Sequence, residues 1–235
     1  MRPDLPPHWL HPASVAEARA AQLEMAAQLI LQDALPPRPW RLGAADVSNT
    51  RFDPAKRVHA AIVTLDEAGV IAAAQETRRA DFPYVPGYLG FREVPALVAA
   101  WSRLAERPDI LLVDGQGLAH PRGFGVACHL GLVLDVPTIG VAKSLLVGEG
   151  EPGPDPGDCA PLVWKGARIG TALRTRRGAK PIYLSVGHRV SLDTAVAIVA
   201  GTTAGRRLPA PIRAAHDAAN AARRAVLSIT TESLD

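Results

Sequence analysis

Three carboxylates, one of them inside an apolar strand, together suggest metal-assisted phosphate chemistry. Asp46 is flanked by Ala44, Ala45 and Val47, and an ionised carboxylate in such a strand is costly to bury unless it is paired or bound to a cation. Asp114 follows Ile110-Leu111-Leu112-Val113 and opens at once into Gly115-Gln116-Gly117. That places it at the carboxyl end of a buried strand, a favoured location for a site in an α/β sheet. Glu93 lies near the start of the helix preceding that strand. Carboxylates brought together repel one another unless a hard cation sits between them, and all-oxygen ligation suits Mg²⁺ or Mn²⁺. With phosphate oxygens as the remaining ligands, such a cluster supports phosphodiester hydrolysis.

Lys143, one of four lysines, ends the segment Thr138-Ile139-Gly140-Val141-Ala142 on the same expected sheet edge. A phosphate contact fits it, and so does a solvated position. His216, in Arg213-Ala214-Ala215-His216-Asp217, suits a water-orienting or proton-handling group rather than a ligand of Mg²⁺. Taken singly, Asp114 also fits a turn residue capping its own loop, and Glu93 an acid in a first helical turn. His120, His129 and His188 show no paired ligand spacing and suggest no zinc site.

The elements that must position these groups follow from periodicity. Ser14 to Asp33 reads as a helix opened by a Ser14/Glu17 capping pair and packed outside the core. Arg41 to Ser48, Val58 to Leu65 and Val70 to Arg78 read as three consecutive antiparallel strands, with Asp66-Glu67-Ala68-Gly69 as a hairpin turn. Helix and strand then alternate: Phe91 to Glu106, Asp109 to Val113, Gly123 to Leu134, Thr138 to Val141. Such alternation implies parallel pairing with crossover helices. Leu162 to Arg174 and Pro181 to Val186 read as a hairpin around Arg176-Arg177-Gly178, with helices at Leu192 to Thr202 and Pro211 to Arg224. The whole is an α/β chain with a mixed sheet and flanking helices, in the order of the ribonuclease H-like fold. If the first and fourth strands are neighbours, Asp46 and Asp114 face each other.

Composition narrows the classes. The 235 residues are 48% hydrophobic and 21% charged, which suits one folded domain over residues 1–235 and excludes a disordered chain. Two cysteines without CxxC spacing suit a reducing, cytoplasmic setting. The apolar stretch Gly123 to Ala142 is broken by His129, Asp135 and Pro137, and the N-terminus lacks the apolar segment of a signal peptide, so neither export nor membrane insertion is expected. Net charge is only +3, but residues 161 to 225 carry twelve basic and two acidic side chains. A basic third beside an acidic body suggests a polyanion such as nucleic acid.

The segment Pro83-Tyr84-Val85-Pro86-Gly87-Tyr88-Leu89-Gly90-Phe91-Arg92-Glu93 resembles a motif of the endonuclease V family. So do Val113-Asp114-Gly115-Gln116-Gly117 through His120-Pro121, the run from Gly125 to Lys143, Gly187-His188-Arg189-Val190-Ser191, and Arg207-Leu208-Pro209 with His216. The motifs keep the family's order over about residues 40 to 217. The polar segment 49–56 and both termini, including the tail 226–235, lie outside the firm match. Glycine, common in the family two residues before the first metal aspartate, is replaced by Ala44, and Gln116 stands where histidine or asparagine is frequent.

The resemblance implies a ribonuclease H-like fold and Mg²⁺-dependent incision of DNA one nucleotide 3′ of deoxyinosine, leaving 3′-hydroxyl and 5′-phosphate ends. Mn²⁺ substitutes. It casts Asp46, Asp114 and Glu93 as metal ligands, Lys143 and His216 as further catalytic residues, and His120 as a DNA contact. Pro83, Tyr84, Val85 and Pro86 resemble the strand-separating wedge: prolines lower the ordering cost and an aromatic replaces a base in the stack. Backbone groups at Gly87, Leu89 and Gly115 correspond to the base pocket, where hypoxanthine offers an acceptor O6 and a donor N1–H, the reverse of adenine. Family analogy implies a monomer. Two alternatives remain: an inosine-specific ribonuclease, since only contacts to the 2′ position tell the backbones apart, and a non-catalytic nucleic-acid binder of the same fold, which has no need of clustered carboxylates.

Overall fold

The computed structural model describes residues 1–50 and 53–232, with side chains to residue 226. Its centre is one eight-stranded sheet in the order β3-β2-β1-β4-β5-β8-β7-β6. The first three strands, β1 (Leu42–Asn49), β2 (Arg57–Asp66) and β3 (Gly69–Arg79), form the antiparallel meander the sequence suggests. In the turn between β2 and β3, Asp66 Oδ1 accepts the N–H groups of Ala68 and Gly69 at 2.8 and 3.2 Å. The part of the 49–56 segment at residues 51–52 lies outside the described residues, as do 233–235 of the tail.

Helix α2 (Leu89–Arg103) returns the chain to β4 (Ile110–Asp114), and α3 (Val126–Leu134) to β5 (Thr138–Ala142). Both strands add in parallel, β4 on β1 and β5 on β4, because a helical crossover returns the chain in the direction it started. Then β6 (Cys159–Trp164), β7 (Ala167–Leu173) and β8 (Ile182–His188) fold back antiparallel, with β8 against β5. The sequence reading of 162–174 as one strand is corrected here. The chain reverses at Lys165-Gly166, with φ of 50° and 79°, the paired positive φ of a two-residue hairpin turn.

Alternate residues of the central strands face two helical layers, as a pleat with period two requires. Ala45, Leu111 and Val113 pack with Val94, Leu97 and Leu130 of α2 and α3. Ala44, Ile110, Leu112 and Val141 pack with α4 (Leu192–Gly201) and α5 (Ala210–Glu232) through Ala195, Val199, Ile212 and Ala215. A third cluster sets Trp9 and α1 (Val15–Ala26) against Phe82, Tyr88, Phe91, Phe124 and Cys128. Helix α1 is shorter than the 14–33 read from sequence. Ser14 Oγ caps it by accepting Glu17 N–H at 3.1 Å, but Asp33 is drawn off to accept from Ser191 and Thr194 at the start of α4.

Candidate active site

The register of β1 and β4 brings the two aspartates together. Ala44 pairs with Leu112 and Ala45 with Val113, so two residues further on, Asp46 and Asp114 leave adjacent parallel strands on the same face. That face is covered by α5, whose buried residues Ile212, Ala215 and Ala219 recur at helical spacing and set His216 at the edge of the seam. Asp46, Asp114 and His216 each present one ligand-capable atom within 4.8 Å of the others. The site forms because β1, β4 and α5, far apart in sequence, bring Asp46, Asp114 and His216 together on one face of the sheet.

Hydrogen bonds define how each group is held. Asp46 Oδ2 accepts from His216 Nδ1 at 2.8 Å, and Asp46 Oδ1 accepts the Val47 N–H at 2.8 Å. Asn220, one turn along α5, donates Nδ2–H to His216 Nε2 at 3.0 Å and accepts from Ser48 Oγ at 2.8 Å. This chain makes His216 Nε2 the acceptor and places the ring proton on Nδ1, toward Asp46. Lys143 Nζ donates to Asp114 Oδ2. Behind Lys143, Arg207 donates to its carbonyl at 2.6 Å, and Gln116 Nε2 donates to the Ser144 carbonyl at 2.9 Å.

Glu93 reaches the same strand ends from α2, in the other helical layer. It lies outside the Asp46–Asp114–His216 trio, where the sequence reading had placed it in preference to His216. It nonetheless senses the pair: burial, then the charge of Asp46, raises its carboxyl to about 8, opposed by a hydrogen bond from Asn49 Nδ2 at 3.4 Å. Asp114 is raised as well, by burial and by Asp46, with Lys143 opposing. Acidic oxygens held close with their ionised forms disfavoured form the environment that a hard divalent cation relieves. Asp46 and Asp114 are the residues placed to hold one, with His216 beside them.

A cavity of about 390 Å³ adjoins this edge. Asp114, Gly115 and Lys143 line one side, and Tyr84, Val85, Pro86, Gly87 and Leu89 line the other. Tyr84 is 72% exposed, so the aromatic of the Pro83-Tyr84-Val85-Pro86 loop points its surface to solvent rather than folding onto the protein. Gly87 has φ +80° and Gly115 φ +153°, and a Cβ at Gly115 would sit 2.5 Å from Val126 Cγ1. Both positions therefore demand glycine. His120, expected as a DNA contact, is 5% exposed and bonds the Gly87 carbonyl at 3.1 Å. Ser48, Asn220 and Gln22 escaped sequence reasoning, since isolated polar residues within a strand or helix carry no periodic signal; Arg207 stood only within a family-like motif and was given no role.

The basic third is partly spent on contacts within the chain, several of them at the surface. Arg174, Arg207 and Arg213 donate to backbone carbonyls, while Arg177 and Arg189 pair with Asp155 and Asp135. Among the described residues no helix is long and apolar enough to cross a membrane.

Central parallel strands carrying paired carboxylates, an antiparallel meander at the start of the sheet and helices on both faces define a nuclease of ribonuclease H-like fold. The profile of the endonuclease V family matches residues 23–217. An endonuclease V of Rhodospirillum centenum is 47% identical over 228 residues, covering 95% of this chain and 94% of its own. The chain belongs to the endonuclease V family. The crystal structure of the Streptomyces avermitilis endonuclease V, 42% identical, superposes with a TM-score of 0.86 over 96% of this chain and 98% of its own. That of Ciona intestinalis endonuclease V, in complex with a 24mer DNA containing an inosine followed by a ribo-adenosine, is 26% identical with a TM-score of 0.72, over 92% and 98%.

Proposed function

We propose that the protein is a DNA repair endonuclease that recognises deoxyinosine in DNA and hydrolyses the phosphodiester one nucleotide to its 3′ side, leaving 3′-hydroxyl and 5′-phosphate ends. The observation that carries this reading is the junction of two features in one cavity: the exposed Tyr84 loop on one wall and the Asp114–Lys143 pair on the other. The Ciona relative's complex with inosine-containing DNA supports the same substrate.

Mg²⁺, or Mn²⁺ in its place, is the cofactor, held by Asp46 and Asp114 with Glu93 alongside. When bound it activates water and stabilises the leaving oxygen. Asp46 is fixed for that role by the Nδ1–H of His216, which Asn220 and Ser48 hold in turn. Lys143 sets a positive charge at the edge of the cavity, where a phosphate oxygen approaches Asp114. Tyr84 enters the base stack between two stiff prolines, and the displaced base enters the cavity beside Gly87, Leu89 and Gly115. An inosine pair is already weak, so extrusion costs less there than at an intact pair.

The test uses matched DNA and RNA duplexes, each with a single inosine, incubated with Mg²⁺ while the cut is mapped. The expected result is a nick in the DNA one nucleotide 3′ of inosine. Cutting confined to the RNA supports the ribonuclease alternative, and binding without cutting in either supports a non-catalytic binder.

A further inference from the structure

Three side chains converge on one backbone oxygen beneath the cavity. The Gly87 carbonyl accepts Gln22 Nε2–H at 2.9 Å, His120 Nε2–H at 3.1 Å and a terminal N–H of Arg122. Arg122 Nε donates back to Gln22 Oε1 at 2.6 Å, and its guanidinium lies 4.2 Å from the centroid of the Tyr88 ring. His120 Nδ1 accepts the Arg122 backbone N–H at 3.3 Å, which leaves Nε2 as the protonated nitrogen facing Gly87.

The atom they hold belongs to a tight turn. Tyr88 N–H donates to the Val85 carbonyl at 3.0 Å, and Gly87 at the third position has φ +80°. Proline second and a positive-φ glycine third are the marks of a type II turn. The Gly87–Tyr88 peptide is thus pinned at both polar ends, its N–H by Val85 and its oxygen by the three donors. A Cβ on Gly87 would stand 2.8 Å from the Arg122 terminal nitrogen, so a side chain there would push the guanidinium off the carbonyl it holds.

Gln22 is the member without an obvious reason to be there. It lies on α1, 3% exposed, one residue outside the span matched by the family profile. Its amide makes three bonds at once, donating to the Gly87 carbonyl and, at 3.4 Å, to that of Phe124, and accepting from Arg122. Glutamate keeps only acceptors, and methionine, of similar length, keeps neither.

We propose that Gln22 is a positioning residue for lesion recognition: with Arg122 and His120 it locks the Gly87 carbonyl, and so presents the Val85–Tyr88 turn to the displaced base in a single conformation. This rests on the reading of the protein as an inosine-directed endonuclease. The loss of a positioning group for the base weakens substrate capture while leaving the reaction of a captured strand intact.

Steady-state cleavage of an inosine-containing DNA duplex, with Mg²⁺, tests it in the wild type, Gln22→Met and Gln22→Glu. Both variants are expected to raise KM about tenfold, the scale of one hydrogen bond to a charged network, with kcat within about twofold. Partial unfolding would do the reverse, lowering kcat with KM unchanged, because it only removes active molecules. An unchanged KM in both variants, or a fall in kcat alone, overturns the positioning role while the endonuclease reading stands. A wild type that cuts no inosine strand overturns both.

Discussion

Replacing Glu93 with glutamine tests the electrostatics of the site without disturbing its shape. In the metal-free protein the Glu93 carboxyl is held at about 8, against an ordinary value of 4.5, chiefly by burial and then by Asp46. Below pH 4.5 the group is protonated in both folded and unfolded chains and contributes nothing to the difference. Between 4.5 and 8 the unfolded chain has lost the proton that the folded chain still holds, so stability falls as pH rises, by about 1.4 kcal/mol per pH unit. The loss reaches about 3 kcal/mol at pH 7 and about 5 kcal/mol above pH 8. Glu93→Gln removes this dependence. Urea unfolding in the presence of a chelator, from pH 4 to 9, is expected to show the variant gaining on the wild type by about 5 kcal/mol across the range. Saturating Mg²⁺ should then favour the wild type, since an ion bound only to the folded state stabilises it. A difference between the two proteins that stays flat within about 1 kcal/mol from pH 4 to 9 would refute the claim that this carboxyl is held protonated by its surroundings.

Other perturbations separate the roles of the site residues. Tyr84→Ala is expected to weaken binding of an inosine duplex by roughly 1–3 kcal/mol, the scale of one base–aromatic stack, measured by fluorescence anisotropy; equal losses on inosine-containing and undamaged duplexes would argue against the wedge. Lys143→Ala should lower kcat by about a hundredfold, as removing a donor aimed at developing charge does, with single-turnover kinetics as the check. Asn220→Leu leaves His216 Nε2 without its donor and frees the ring to turn, so a fall in kcat of about tenfold at unchanged KM is expected.

Much of the scaffold was legible in the sequence because it rests on local signals. Apolar runs of strand length, helical spacing and the Asp66–Gly69 turn placed the meander and the two crossover units within a few residues. That β1 and β4 are neighbours, and with it the meeting of Asp46 and Asp114, was an expectation of the ribonuclease H-like strand order rather than of any local signal, and the sheet bears it out. The β6–β7 reversal was hidden because lysine, not asparagine or aspartate, occupies the first turn position before Gly166. The end of α1 was set by tertiary capture of Asp33, a partner 158 residues away in Ser191, and no local pattern reports that. Within the site Asp46 declared itself by being costly in an apolar strand and Asp114 by its place at a strand end before a glycine turn, whereas Glu93, Lys143 and His216 each also fit an ordinary surface or helix position and took their roles from the family resemblance. Ser48, Asn220, Arg207 and Gln22 act only through groups that the fold brings to them, and His120, expected as a DNA contact, lines the cavity with its ring bonded to the Gly87 carbonyl.

The central claim is that Asp46 and Asp114 grip one shared cation position. Titration of Mn²⁺ followed by electron paramagnetic resonance measures this directly in the wild type, Asp46→Asn and Asp114→Asn, each checked by circular dichroism for an intact fold. Loss of Mn²⁺ binding in each single variant is the expected result. Wild-type affinity retained by either folded variant would contradict it.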